Sequence, residues 1–278
     1  MEHEFIVACK ENDLNKIQQI IHMVDMNEGF RWACQNGCIN IIQYLVPLGV
    51  DIHARDEEGF RLACDNGHIN VVTYLVQNTN INIHAANEYG FRWACYNGHI
   101  DVVKYLVSLD VNINALDADG FRWACLYGHI DVVRYLVQNT NINIHARNEE
   151  GFRWACQKGK IDVVQHLVQN TDINIHARDE EGFRWACDNG HIDVVRYLVQ
   201  NTDINIHARC KEGFKWACEN RHIDVVRYLV NFMQCVKYRK LNKISQFMPS
   251  RYTNYQLSKT YLINVGKNMN HLNNNVCL

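Results

Sequence analysis

A Gly-Phe pair recurs along this chain at a nearly constant interval. Its phenylalanines stand 30 or 31 residues apart, at Phe30, Phe60, Phe91, Phe121, Phe152, Phe183 and Phe214. A period of this length is typical of stacked arrays, in which each unit buries its apolar face only against its neighbours. The repeat therefore predicts a linear array of small units, rather than the two globular domains that a length of 278 residues would otherwise suggest.

Each unit is predicted to contain two short helices and a connector. In the unit around Phe183, the apolar pattern places a first helix at about Phe183–Asn189 and a second at about Ile192–Gln200. Gly190 ends the first helix, because glycine tolerates the left-handed conformation of a helix terminus. The connector 201–209 alternates polar with apolar residues, which is typical of a strand. The fold class predicted is an all-α solenoid with short β-like finger connectors.

The array is predicted to have eight units. Residues 5–20 align without gaps on residues 30–45 and form a degenerate first unit, in which Asp13 replaces the histidine of most later units. This unit is more polar than the others, as an end cap must be, because one of its faces has no neighbour. The array spans residues 1–231. The period is then lost, and residues 232–278 form a C-terminal tail of unspecified fold.

Charge is distributed unevenly between these two parts. The segment 231–278 contains seven Lys/Arg and no Asp or Glu, whereas the remainder has 21 Lys/Arg against 30 Asp/Glu, a net charge of −9. A basic tail on an acidic body could bind nucleic acid or another acidic surface. A disordered segment without a partner is an equally open interpretation.

The cysteines indicate the compartment. Eight of the twelve occupy one repeated position, at Cys9, Cys34, Cys64, Cys95, Cys125, Cys156, Cys187 and Cys218. A disulfide framework would pair different positions, whereas a cysteine repeated once per unit behaves as a small buried side chain. We therefore expect reduced thiols and an intracellular protein. The acidic N-terminus lacks the pattern of a signal peptide, and no apolar stretch approaches the ~20 residues of a membrane helix.

The repeated motif resembles a known family. Asp51-Ile-His-Ala54 and Asn112-Ile-Asn-Ala115 are each followed by a turn, a short helix, Gly-His and Ile-Asn/Asp-Val-Val-x-Tyr-Leu-Val. This motif is similar to the ankyrin repeat over about residues 4–230. The resemblance implies a solenoid that holds a protein partner in a concave groove.

One departure from the ankyrin pattern is systematic. The usual repeat has 33 residues and opens its first helix with Thr-Pro-Leu-His, whereas these units lack about three residues there. A shorter finger or a shorter first helix is implied. The abbreviated pattern resembles ankyrin proteins of giant amoebal viruses (Mimivirus-like), which would make the partner a host protein and the location the host cytoplasm.

Two side-chain rows run along the first helices. On a helical wheel the tryptophan of each unit lies opposite the phenylalanine, so that the helix is sandwiched between its neighbours and the row is structural; ligand stacking is the alternative. The arginine row could contact an acidic partner or phosphates, or pair with carboxylates of the fingers. The fingers carry at least as many carboxylates as the row has basic side chains, which favours pairing. The arginines are Arg31, Arg61, Arg92, Arg122, Arg153 and Arg184.

A candidate partner-binding surface lies in the fourth and fifth units. The two positions after the repeated cysteine, together with the finger tips, line the groove in the family that the chain resembles. Most copies here are polar, but these two units offer Tyr89, Arg92, Tyr96, Leu116, Arg122, Leu126 and Tyr127. Aromatic and arginine side chains clustered centrally are typical of binding hot spots. The alternative is drift on a surface where scattered apolar residues are normal.

The residues favour neither a metal nor a catalytic site. Cysteine and histidine recur four residues apart, as in Cys95 and His99, which could begin a zinc site. Cys38 and Lys160 interrupt the histidine series, however, and the cysteines are expected to face inward. Glycine occurs singly and serine is nearly absent from the units, so no phosphate loop or catalytic constellation is indicated. We expect no metal, no cofactor and no enzymatic activity. The finger histidines are expected to be hydrogen-bonding turn residues, at His53, His84, His145, His176 and His207.

The function predicted is a non-enzymatic protein–protein interaction scaffold, a monomer that binds one protein partner and no membrane. The alternative is a substrate adaptor, in which the array selects a substrate and the tail recruits a host ubiquitin ligase; the tail has no convincing F-box-like match. Nucleic acid would bind only through the tail. A recently expanded array with little selected function also stays open.

Overall fold

The computed structural model describes residues 2–10 and 13–245. Within these ranges the chain forms sixteen α-helices and no β-strand. Most of the predicted basic tail, residues 246–278, lies outside the described residues. The proposals that the tail binds nucleic acid or recruits a ligase therefore stay predictions.

The helices pair in chain order into eight units. The pairs are α1 (Glu2–Lys10) with α2 (Leu14–Ile20), α3 (Met26–Asn36) with α4 (Ile39–Leu45), α5 (Ala54–Asp65) with α6 (Ile69–Asn78), α7 (Ala85–Asn97) with α8 (Ile100–Ser108), α9 (Ala115–Tyr127) with α10 (Ile130–Asn139), α11 (Ala146–Gln157) with α12 (Ile161–Asn170), α13 (Ala177–Asp188) with α14 (Ile192–Asn201), and α15 (Ala208–Glu219) with α16 (Ile223–Ser245). Short 3-10 turns follow α2 and α4, at Ile21–Met23 and Val46–Leu48.

The units stack in sequence. The first helix of each unit packs against the first helices of the units before and after it, and the second helices pack in the same order. One apolar core runs through the stack, built from the repeated Phe, Ala, Cys, Val and Leu side chains. The predicted all-α solenoid of eight units is confirmed. In the described residues, no helix is both long enough and apolar enough to span a membrane.

The glycine of each Gly-Phe pair permits the close approach of successive first helices. A Cβ placed on Gly59 would lie 2.5 Å from the ring of Phe30 in the preceding unit and 3.2 Å from the sulfur of Cys34. The phenylalanine and the cysteine are themselves fully buried. Burial raises the pKa of the Cys34 thiol well above its ordinary value, which keeps the sulfur protonated and inert. The equivalent cysteines from Cys34 to Cys187 are fully buried and serve as packing groups, as expected.

The fingers differ from the predicted strand-like connectors. In the finger between α12 and α13, which is equivalent to the predicted connector 201–209, only residues 172–174 lie outside helices, bends and turns, and no strand forms there. Three consecutive residues then adopt the left-handed conformation, Arg178, Asp179 and Glu180, with φ of 55°, 59° and 56°. The same left-handed turn occupies the start of α5, α7, α9, α11 and α15, at residues 55–57, 86–88, 116–118, 147–149 and 209–211. A single tight turn therefore takes the place of an extended connector.

The helix boundaries follow from this turn. The right-handed part of α13 begins after Glu180, two residues before the predicted start at Phe183, and α13 ends at Asp188. The second helix of the same unit, Ile192–Asn201, agrees with the prediction to one residue. The last helix, α16, continues across the predicted domain boundary at residue 231.

Candidate partner-binding surface

Five of the six left-handed finger turns are held by an arginine of the same helix; in the sixth, at residues 209–211, Lys215 takes the place of that arginine. Arg153 donates from Nε to the carbonyl of Asn148 at 2.8 Å and from Nη2 to the carbonyl of Arg147 at 3.0 Å. The same two bonds recur in four other units, from Arg61, Arg92, Arg122 and Arg184. A left-handed conformation costs a non-glycine residue about 1–2 kcal/mol. Charge-assisted hydrogen bonds to the turn offset part of that strain.

The same arginines join each unit to the next. Arg92 Nη1 lies 2.9 Å from Oδ2 of Asp119 in the following finger. Arg122, Arg153 and Arg184 pair in the same way with acids one unit further on, Glu150, Glu181 and Glu212. The guanidinium groups also lie over the tryptophan of the next unit, 5.9 Å from the ring centre for Arg92 and Trp123. Pairing within the array, one of the two interpretations of the arginine row, is what the structure shows.

Two predicted contact residues are therefore buried beneath the surface. Arg92 is 8% exposed and Arg122 is 3% exposed. Their nitrogens already bind finger carbonyls and carboxylates. These arginines position the finger and the neighbouring tryptophan, and they present little area to a partner.

Four of the five finger histidines have the predicted hydrogen-bonding role; the exception is His207, where Lys211 stands at the position of the glutamate. His176 Nδ1 donates to Oε1 of Glu180 at 2.8 Å, across the left-handed turn. The carboxylate raises the pKa of the His176 imidazole above its ordinary value, chiefly through this hydrogen bond. The same pair forms in three other fingers, between His53 and Glu57, His84 and Glu88, and His145 and Glu149.

One finger breaks the pattern of acidic partners. Tyr89 occupies the position where other fingers carry the acid that pairs with the preceding arginine. The guanidinium carbon of Arg61 lies 4.7 Å from the centre of the Tyr89 ring. A cation over an aromatic face is attracted by the ring quadrupole. The tyrosine thus replaces an ion pair and brings an aromatic ring to the edge of the groove.

The three predicted tyrosines belong to one continuous set of rings. Ring centres are separated by 5.2 Å for Tyr89 and Trp93, 4.8 Å for Trp93 and Tyr96, 5.3 Å for Tyr96 and Trp123, and 4.5 Å for Tyr96 and Tyr127. Trp93 and Trp123 also meet edge to face at 5.5 Å. We call these five residues the aromatic patch. The two tryptophans were interpreted from the sequence as structural, yet they connect the tyrosines. The sequence signal for this contact between tryptophan and tyrosine is that Tyr96 lies three residues after Trp93, on the same side of one helix.

The predicted leucines lie in the same two units. Leu116 is 49% exposed and Tyr127 is 42% exposed, among the most exposed large apolar side chains of the described residues. Leu126 is half-buried and occupies in α9 the position of Tyr96 in α7. Leu116 stands at the first left-handed position of its finger, where four other fingers carry Arg55, Arg147, Arg178 and Arg209, and where α7 has Ala86. At this one finger position, arginine is thus replaced by an apolar residue in the two units of the aromatic patch.

A histidine fixes the spacing of the patch. His129 Nε2 donates to the carbonyl of Tyr96 at 2.7 Å, and its ring stacks on Tyr127 with centres 6.3 Å apart. Burial lowers the pKa of the His129 imidazole, so the ring is neutral at physiological pH. This neutral link holds the fourth and fifth units together without adding charge to the surface. In the described part of the chain, no group of three or more His, Cys, Asp or Glu could hold a metal ion.

Comparison with known proteins identifies the family. A family model described as "Ankyrin repeats (3 copies)" matches residues 5–87, 60–148 and 152–241. A search of the curated proteins finds no match to the chain. The family match covers most of the chain and all eight stacked units, and the chain therefore belongs to the ankyrin-repeat family.

Proposed function

We propose that this chain is a non-enzymatic scaffold that binds one protein partner on the aromatic patch, together with Leu116 and Leu126. The observation that supports this most is the coincidence of two local changes. Rings contact one another across two successive units, and the first left-handed residue of the finger in the same units is apolar instead of arginine. Neither change is required by the stacking of the array, because the other units stack with polar residues at these positions.

The chemistry of the patch suits protein recognition. Tyrosine and tryptophan offer a large apolar area with a polar edge, and they lose little conformational entropy on binding. Such residues dominate the energetics of many protein interfaces. The rings here are already held by one another and by the arginines beneath, so little ordering is needed when a partner binds. Ankyrin repeats are in general protein–protein interaction modules, which supports the same proposal.

We further propose an intracellular monomer. Cys34, Cys64, Cys95, Cys125, Cys156 and Cys187 are buried free thiols, which supports a reducing compartment, since thiols persist there. The likeness of the short units to ankyrin proteins of amoebal viruses makes a host protein the proposed partner. Recruitment of a ubiquitin ligase and binding of nucleic acid depend on a tail whose residues 246–278 are outside the described ranges, and no observation favours either of them.

The test is partner recovery with matched variants. Affinity purification with mass spectrometry on the full-length chain identifies the partner. Tyr96→Ala combined with Leu126→Ala should abolish its recovery and leave the thermal melt by circular dichroism nearly unchanged. Gln157→Ala combined with Asp188→Ala alters the same position in the next two units and should leave recovery intact. Tyr127→Ala removes a more exposed ring, so it should reduce partner recovery with little effect on folding. Undiminished recovery in the first variant would contradict the proposal.

A further inference from the structure

We propose that the segment bound by the aromatic patch is apolar in its middle, carries a cationic side chain at the end near Asp65 and carries an anionic side chain at the end near Lys158. This inference rests on the proposed function and adds the chemistry and the orientation of the partner. Two observations support it. One is the order of side chains along successive first helices, and the other is that Asp65 and Lys158 form no ion pair in the described residues.

The order is read from equivalent positions in successive first helices. The position after the repeated cysteine holds Asp65 in α5, Tyr96 in α7 and Leu126 in α9. The next position holds Tyr127 at the end of α9 and Lys158 directly after α11. An acid therefore precedes two apolar units, and a cation follows them. Helices that pack at about 8–10 Å place the two charges about 25–30 Å apart.

In the described residues, the acid Asp65 accepts a hydrogen bond but forms no ion pair with Lys or Arg. Asn97 Nδ2 donates to Oδ1 of Asp65 at 2.7 Å and to its carbonyl at 2.9 Å. Arg61, one turn earlier on α5, is engaged with two finger carbonyls and with the Tyr89 ring. Among the ion pairs of residues 2–10 and 13–245, none includes Asp65. Burial raises the pKa of this carboxyl, and a cation brought by a partner would stabilise the ionised form.

The cation departs from the repeated pattern. Most units have asparagine at the position of Lys158, and its amide donates to a backbone carbonyl, as Asn189 Nδ2 does to Trp185 at 2.9 Å. Lys158 is exposed, and over the described ranges no carboxylate forms an ion pair with it. The other units with asparagine at this position stack in the same way, so stacking does not require a lysine here. An exposed lysine beside the unit of Tyr127 is therefore available to an anionic group.

The distance sets the size of the segment. An extended chain advances about 3.3 Å per residue, so about eight or nine residues span the two charges. Opposite charges at the two ends of a groove fix the register and the direction of a bound chain more than they add to its affinity. The aromatic patch would supply the affinity, and Asp65 and Lys158 the direction.

The test uses defined peptides. A phage-displayed library of random 12-residue peptides is selected on the immobilised full-length chain and counter-selected on the Tyr96→Ala, Leu126→Ala variant. Enriched peptides should carry Lys or Arg near one end, apolar residues in the middle and Asp or Glu near the other end. Fluorescence anisotropy with these synthetic peptides should show about five-fold weaker binding or more for Asp65→Lys and for Lys158→Glu. The double reversal should regain affinity for peptides whose two charges are exchanged.

The equivalent aspartate of another unit, Asp188, provides the control. Asp188 accepts from Asn220 at 2.7 Å in the same way that Asp65 accepts from Asn97, but its unit lies outside the aromatic patch. Asp188→Lys should leave peptide affinity unchanged. Enriched peptides without the charge pattern, or equal effects of Asp65→Lys and Asp188→Lys, would overturn this inference and leave the proposed function standing. Failure to enrich any peptide over the counter-selection would contradict both.

Discussion

The guanidinium carbon of Arg153 lies 5.5 Å from the centre of the Trp185 ring in the next unit. The same side chain binds two carbonyls of its own finger and the carboxylate of Glu181 in the following finger. Only 1% of Arg153 is exposed. One buried cation therefore connects a strained turn, the helix that follows the turn and the neighbouring unit.

Replacement of this arginine should be among the most destabilising polar substitutions in the array. Removing one partner of a buried ion pair costs about 3–5 kcal/mol, because it leaves the other charge buried and unpaired. We expect a loss of this order for Arg153→Ala in the free energy of unfolding, measured in urea. Arg153→Lys should recover part of it, since an ammonium group cannot reach two carbonyls, a carboxylate and a ring together.

Lys215 provides the matched control for Arg153. It occupies the equivalent position in the last full unit, where it is exposed. Lys215→Ala should change the unfolding free energy by about 0.5 kcal/mol or less, as for most surface positions. Arg153→Ala within about 1 kcal/mol of wild type would show that the buried network contributes little.

The glycine before each phenylalanine should tolerate alanine unequally along the array. A Cβ on Gly59 would lie 2.5 Å from the Phe30 ring, whereas on Gly151 the nearest atom, in the Phe121 ring, is at 3.2 Å. Overpacking a core typically costs about 1–3 kcal/mol. Gly59→Ala should therefore lower the unfolding free energy by about that amount, and Gly151→Ala by less. Urea denaturation of both variants compares them directly, and an equal loss would mean that helix spacing adjusts freely.

The parts of this fold that follow local rules could be predicted from the sequence. A repeated Phe and Cys on one side of a helix indicated burial, and the second helix of the Phe183 unit was placed to within one residue at Ile192–Asn201. The finger turn could not be predicted, because residues such as Arg178 and Glu180 rarely adopt a left-handed conformation. The bonds from Arg184 that hold this turn come from outside the turn itself.

The candidate surface also has parts that could be predicted from the sequence and parts that could not. The tyrosines and leucines were found because they interrupt a polar row, which a comparison of equivalent positions detects. The buried state of Arg92 and Arg122 depends on side chains one unit away, beyond the reach of a single helical wheel. The ring contact between Trp93 and Trp123 also crosses units. The side-chain contacts between adjacent units therefore could not be predicted from the repeat pattern.

The pair of His176 and Glu180 predicts a pH dependence of stability. The pKa of His176 is raised in the folded protein by its bond to Glu180. A raised folded pKa stabilises the protein fully below the unfolded pKa of about 6.5, and this contribution is lost as the pH rises through the folded pKa. The stability difference between wild type and Glu180→Gln should therefore be larger at pH 6 than at pH 8.5, by urea denaturation. In a His176→Gln background that dependence should disappear, and a difference that grows with pH would contradict the assignment.

The junction between the fifth and sixth units should gain stability from a single substitution. At five junctions a histidine donates from Nε2 to a backbone carbonyl of the preceding unit, from His68, His99, His129, His191 and His222. Lys160 takes the place of that histidine next to the aromatic patch, and it packs over Gly128 as the histidines pack over the equivalent glycines. By the spacing of the other junctions, Lys160→His would direct its Nε2 to the carbonyl of Leu126. A hydrogen bond of this kind contributes about 0.5–1.5 kcal/mol, and the unfolding free energy in urea should rise by that amount.

The reciprocal variant, His191→Lys, removes the 2.8 Å bond to Gln157 and should lower the unfolding free energy to a similar extent. If Lys160→His were neutral while His191→Lys was destabilising, the lysine would already make an equivalent contact, and the junction beside the patch would be as firmly held as the others.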